Sequence, residues 1–157
     1  MITRRYLINI YPQVYKQTVK DLLLEHKFEF KHDKIPDQSC NKYRPDFILD
    51  CATHIIVLEV DENQHSGYQC LCEQSRMVNI HQDVGGGLPV VFIRYNPDSY
   101  KDCNNNNIRA KNIISRHTKL IETLNSVRLH KPTDHLSVLY YNGHDDKKTD
   151  IHTIPVI

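Results

Sequence analysis

The sequence predicts an α/β fold: a single domain built on one mixed β-sheet flanked by helices. Three observations lead there. Phe47–Leu49 and Ile55–Val60 are short, aromatic or β-branched runs separated by a brief polar break, the pattern of an antiparallel hairpin. A helix-like stretch over 68–83 separates that hairpin from a continuously apolar strand within Leu88–Pro97, so the strands on either side of it run parallel through a crossover. Apolar residues recur at helical spacing over 11–27 and again over 108–128.

In chain order, the first helix occupies 11–27, with Pro12 in its first turn and Tyr15, Val19, Leu22 and Leu23 on its apolar stripe. Phe28–His32 alternates apolar and polar residues as a half-buried strand does. Asp33–Arg44 is polar and reads as a loop. The hairpin follows, then a polar turn over 62–67 and a helix with Cys70, Met77 and Ile80 as core candidates. Gly85–Gly87 closes that helix and leads into a strand. Phosphate-cradling glycines precede a helix, so this is no nucleotide-binding loop. Lys101–Asn107 reads as a polar loop. The helix over 108–128 buries Ile113, Ile114, His117, Leu120, Ile121 and Leu124, and Leu136–Tyr141 is a further strand before an Asn142-Gly143 turn signal. The last residues, 151–157, suit either a short edge strand or a loose end.

Composition bounds the function more loosely. The 157 residues are 39% hydrophobic and 25% charged, ordinary for a globular domain with a sizeable core. No apolar run is long enough to span a bilayer, and the first residues lack the apolar core of a signal peptide, so an intracellular location without a membrane partner is expected. Five cysteines, an odd number, fit reduced thiols. The single residue between Cys70 and Cys72 is too few for a zinc knuckle, and a structural zinc is not expected. A net charge of +1 neither announces nor excludes a nucleic-acid partner.

The chemistry concentrates at one end of the hairpin. A turn centred between Ala52 and Thr53 sets Asp46 opposite Glu59, and Asp61 lies two residues further along the same strand face. Directly opposed residues have Cβ atoms about 4.5–5.5 Å apart. Carboxylates that close repel and raise one another's pKa. A divalent cation removes the conflict, and hard oxygen ligands suit Mg²⁺, with Mn²⁺ as a substitute. Three solvated carboxylates at a strand end are the competing expectation.

Pro45-Asp46 followed by Glu59-Val60-Asp61 resembles the signature of the PD-(D/E)XK nuclease superfamily. The longer string of Pro45-Asp46-Phe47, Glu59-Val60-Asp61, His65, Glu73, Arg76 and a strand carrying Arg94 resembles the branch of very-short-patch-repair-type endonucleases, over about 44–98. The resemblance implies a restriction-endonuclease-like fold and a metal-dependent DNA endonuclease or nickase of repair, restriction or homing type. Asp46 and Glu59 would be metal ligands, Asp61 a further metal ligand or a group that orients water, His65 a general base or a bridge to phosphate, and Arg76 a cation on the scissile phosphate. Glu25 on the first helix, Glu73 and Arg94 would be accessory groups. Lys34, Lys42 and Arg44 are candidate phosphate contacts, against the plain alternative of a solvated loop. Glu73 and Arg76, at i, i+3, would otherwise simply pair on the helix surface. One departure stands out: Asp61 occupies the position where the superfamily carries Lys, which leaves the usual cation to be supplied by Arg76, a loop lysine or a second metal. That departure also feeds a second reading, a nuclease-like module that binds nucleic acid or a protein partner without cutting. RNA stays open beside DNA. With no recognition helix in the sequence, specificity would come from loops, a partner or a homodimer.

Overall fold

The computed structural model describes residues 4–33, 43–61, 70–101, 106–108, 113–141 and 152–153, with the backbone alone described at 4–13, 70–73, 100–101, 108, 139–141 and 152–153. It comprises α1 (Arg4–Glu25), β1 (Lys31–His32), β2 (Phe47–Asp50), β3 (Ile55–Val60), α2 (Cys70–Gly85), β4 (Val90–Tyr95), β5 (Tyr100–Lys101), β6 (Asn107–Ile108), α3 (Ile113–Leu129), β7 (Leu136–Tyr141) and β8 (His152–Thr153). Six strands form one sheet in the order β1-β2-β3-β4-β7-β8, and β5 and β6 make a small separate ribbon. β2 and β3 are antiparallel, whereas β3, β4 and β7 run parallel. The fold is the expected α/β architecture: a mixed sheet with helices on both faces.

Strand alternation sorts the core into two layers. Phe47, Leu49, Ile56, Leu58, Val60, Val91, Ile93 and Tyr95 face α1 and α3, packing with Val19, Leu23, Leu120, Ile121 and Leu124. Ile55, Val57, Val90, Phe92, Leu136 and Val138 face α2 through Met77 and Ile80. Both faces of β3 and β4 are therefore buried, which is why these strands read as unbroken apolar runs.

Local chemistry fixes the connections. In the hairpin turn, Ala52 adopts a positive φ of 63° while its N–H donates to Asp50 Oδ1 at 2.8 Å, and Cys51 N–H donates to the His54 carbonyl at 3.0 Å. His54 is fully buried and its Nε2 lies 2.9 Å from the Val127 carbonyl, which ties the turn to α3. α2 stops at Gly86 and Gly87, both at positive φ (54° and 89°), where a side chain would strain the backbone.

Several elements differ from expectation. α1 begins at Arg4 and runs through Pro12, so the proline lies inside the helix, where its missing N–H removes one backbone bond, instead of at its start. The strand over 28–32 shrinks to Lys31–His32, and Phe28 is instead a buried core plug whose N–H caps the Leu23 carbonyl at 2.9 Å. α3 starts at Ile113, and Ile113 and Ile114 are 36% and 74% exposed because this first turn lies beyond the packed stretch of the helix. Tyr100–Lys101 pairs with Asn107–Ile108, giving structure to a segment expected to be loop. His152–Thr153 is an edge strand on β7. The Asn142-Gly143 turn signal and residues 62–67 lie outside the described residues. No helix among the described residues is long and apolar enough to cross a membrane.

Candidate active site

On the α2 face of the sheet, the apolar rows give way to charge at the carboxyl ends of the parallel strands. Along β3, Ile55 and Val57 are followed by Glu59 and then Asp61; along β4, Val90 and Phe92 are followed by Arg94. Register makes Glu59 and Arg94 direct cross-strand neighbours. On the other side, Phe47 pairs with Leu58, and continuing that antiparallel register by one residue sets Asp46 against Glu59, as the sequence predicts. Asp46, Glu59, Asp61 and Arg94 are all buried. Ligand clefts in sheets of this kind lie outside the carboxyl ends of parallel strands.

Each carboxylate meets a cation. Lys16 Nζ, reaching down from α1, donates to Asp46 Oδ1 at 2.6 Å, and the Val60 N–H donates to Asp46 Oδ2 at 2.9 Å. Arg76 Nη2, from α2, donates to Glu59 Oε1 at 3.0 Å. Arg94 holds Asp61 in a bidentate pair, Nε to Oδ2 at 2.5 Å and Nη2 to Oδ1 at 2.9 Å. The Asp61 N–H also extends the β3–β4 ladder by donating to the Tyr95 carbonyl at 2.7 Å.

Asp61, expected as a metal ligand, is held by Arg94. Both its oxygens are engaged by a guanidinium that is itself 2% exposed, and an ion would have to break a bidentate buried pair to reach them. Arg94, expected as an accessory group, is likewise buried. Among the described residues, no three His, Cys, Asp or Glu side chains assemble as a metal-holding group. The convergent carboxylates are Asp46 and Glu59.

Glu59 carries the electrostatic record of this arrangement. Burial, reinforced by the charges of Asp46 and Asp61 and opposed by Arg76 and Arg94, pushes its carboxyl up to about 7 from an ordinary 4.5. The folded protein therefore holds this proton between about pH 4.5 and 7 where the unfolded chain does not. Its contribution to stability is full below about pH 4.5 and is lost as pH rises through about 7. In metal-free buffer, the parent is expected to lose on the order of 3 kcal/mol relative to Glu59→Gln across that window. Urea unfolding of both proteins at a series of pH values measures it, and a pH-independent difference would contradict it.

Arg76 reaches Glu59, and its Nη1 is buried with no hydrogen-bond partner among the described residues. Glu25 is exposed at the end of α1, nine residues beyond Lys16, or about 13 Å along the axis at ~1.5 Å per residue, and is not brought to the site. Arg44 is exposed beside the strand that follows Asp46. Lys34, Lys42 and His65, and the side chain of Glu73, lie outside the described residues. Cys51 is a half-buried free thiol whose pKa is raised first by burial and then by the charge of Asp50, and it has no partner ligands for zinc among the described residues.

No family model matches the chain, and no curated protein matches it. Among solved structures it is similar to the restriction endonuclease PspGI in complex with substrate DNA, at 13% identity and a TM-score of 0.39, over 62% of this chain. The match spans 44% of the length of that protein.

Proposed function

We propose that the chain is a metal-dependent endonuclease of the restriction-endonuclease-like class that hydrolyses phosphodiester bonds in DNA. The observation that carries this reading is the juxtaposition of Asp46 and Glu59, buried side by side at the carboxyl end of a parallel sheet with cations already drawn to them. The donor set suits Mg²⁺, which is commonly held by one or two carboxylates with waters and substrate phosphate completing its shell. Asp46 and Glu59 would hold the ion, with the Val60 carbonyl as a further oxygen donor. When bound, the ion polarises phosphate and lowers the pKa of coordinated water. The chain's own groups do the rest. The Val60 N–H fixes one oxygen of Asp46, Arg76 orients Glu59, and His65 is the candidate general base. The very-short-patch-repair branch rests on the string from Pro45 to Arg94 alone, and a repair role goes with it.

A second reading has its own observation: the Asp61–Arg94 pair fills with a neutral plug the position where the superfamily keeps a lysine, as a module that binds without cutting would tolerate.

Two measurements decide. Supercoiled, mismatched and branched DNA are incubated with and without Mg²⁺ or Mn²⁺; cutting that requires the metal supports the enzyme, and binding with no cutting under any metal supports the module. In the absence of DNA, Mg²⁺ at about a hundred times its dissociation constant is expected to add roughly 2.7 kcal/mol of stability. That gain disappears in the Asp46→Ala, Glu59→Ala double variant; an equal gain in both proteins places the ion elsewhere.

A further inference from the structure

Three cation–carboxylate pairs meet at this site among the described residues, and they are not equivalent. Arg94–Asp61 is sealed, with side chains 2% and 1% exposed. Arg76–Glu59 is intermediate, at 24% and 5%. Lys16–Asp46 is the most open, at 36% and 7%, with Nζ 2.6 Å from Oδ1. A lysine ammonium is a point charge on a flexible stem, unlike the planar fork of arginine. The other Asp46 oxygen is held by the Val60 N–H, so the carboxylate keeps its place when the ammonium leaves.

Resting on the metal-dependent reading above, we propose that Lys16 is the exchangeable cation of the site. It occupies Asp46 in the metal-free protein, yields that oxygen when a divalent ion binds, and then supplies positive charge to the substrate phosphate. The position two residues after Glu59 is the acid Asp61, and Asp61 together with Arg94 is closed to substrate. Arg76 is committed to Glu59. Lys16 alone of the three cations combines the most open side chain, a flexible stem and a carboxylate that an incoming ion would claim. It reaches the site from α1 on the opposite side of the sheet from α2, so the two helices would place positive charge on either flank of the phosphate. No bond is made or broken by Lys16 itself; it exchanges one anionic partner for another.

The test titrates Mn²⁺ into the parent, Lys16→Met, Lys16→Arg and Asp46→Asn by calorimetry without DNA, then measures Mn²⁺- and Mg²⁺-dependent cleavage of one plasmid substrate. Thermal melts confirm folding, and Lys16→Gln replaces Lys16→Met should the latter melt early. With its competitor removed, Lys16→Met is expected to bind Mn²⁺ about fivefold more tightly. It is expected to cut about 10²–10³ more slowly, the usual loss when one charge-stabilising donor is removed. Lys16→Arg restores the parent's metal affinity and recovers part of the rate. Unchanged Mn²⁺ affinity in Lys16→Met overturns the exchange, and cleavage at the parent rate overturns the phosphate role; either result leaves the nuclease reading standing. A parent that binds no Mn²⁺, or binds it undiminished in Asp46→Asn, overturns the nuclease reading and this proposal with it.

Discussion

On the nuclease reading, Glu59→Gln is expected to bind duplex DNA at least as tightly as the parent and to cut it roughly 10³ times more slowly. The substitution keeps the side chain's shape and its capacity to accept from Arg76, but it removes the negative charge that would hold the ion. Losing one charge-stabilising interaction in a transition state already costs about 10²–10³ in rate, and a metal ligand serves both the nucleophile and the phosphate. Affinity holds or rises because the lost charge lay beside phosphate. Gel shifts with a Ca²⁺-loaded sample and single-turnover cleavage in Mg²⁺ measure the two effects separately. Cleavage by Glu59→Gln at the parent rate would remove the enzyme assignment.

Asp61→Ala destabilises the fold by about 3–5 kcal/mol, because it strips the bidentate partner from a guanidinium that is almost wholly buried. For a chain of this size that corresponds to a melting temperature lower by roughly 10 °C. The pair is not itself a large net source of stability, since removing two charges from water offsets much of their attraction. Replacing both partners by apolar residues, Asp61→Leu with Arg94→Met, is therefore expected to recover most of the loss. Urea unfolding of the single and double variants closes the cycle. A single variant within about 0.5 kcal/mol of the parent, the range of an ordinary surface substitution, would show that Arg94 finds another anion at no cost.

The contrast between these residues marks what a sequence can disclose. Asp46 against Glu59 was legible because the two strands are adjacent in the chain, the turn between them is short, and a slip of one residue would put Leu49 and Leu58 on the wrong face. The Arg94–Asp61 pair was not, because it depends on the register of two parallel strands joined by a helix, and nothing local fixes that register. Lys16 was hidden for a different reason. It sits one position from Tyr15 and three from Val19, at the margin of the apolar stripe, where lysines are usually solvated. Only the tertiary placement of α1 turns it toward Asp46. His54 escaped notice in the same way: its partner, Val127, is distant in sequence. At the ends of helices the apolar pattern overreaches. Ile113 and Ile114 share the spacing of Leu120 and Leu124, but they lie where the helix has no neighbour to bury them.

The short outer strands have a consequence for the molecule in concentrated solution. A sheet whose middle strands are apolar on both sides is hazardous if its border is long and flat, because unpaired amides there recruit further chains. Among the described residues each border is a strand of two residues, Lys31–His32 on one side and His152–Thr153 on the other. So few rungs give an incoming chain little to extend. β8 contributes a small amount of pairing to the fold and a larger protection to β7, whose Leu136 and Val138 belong to the core. Covering one side of β7 in this way leaves fewer of its amides open to a second chain.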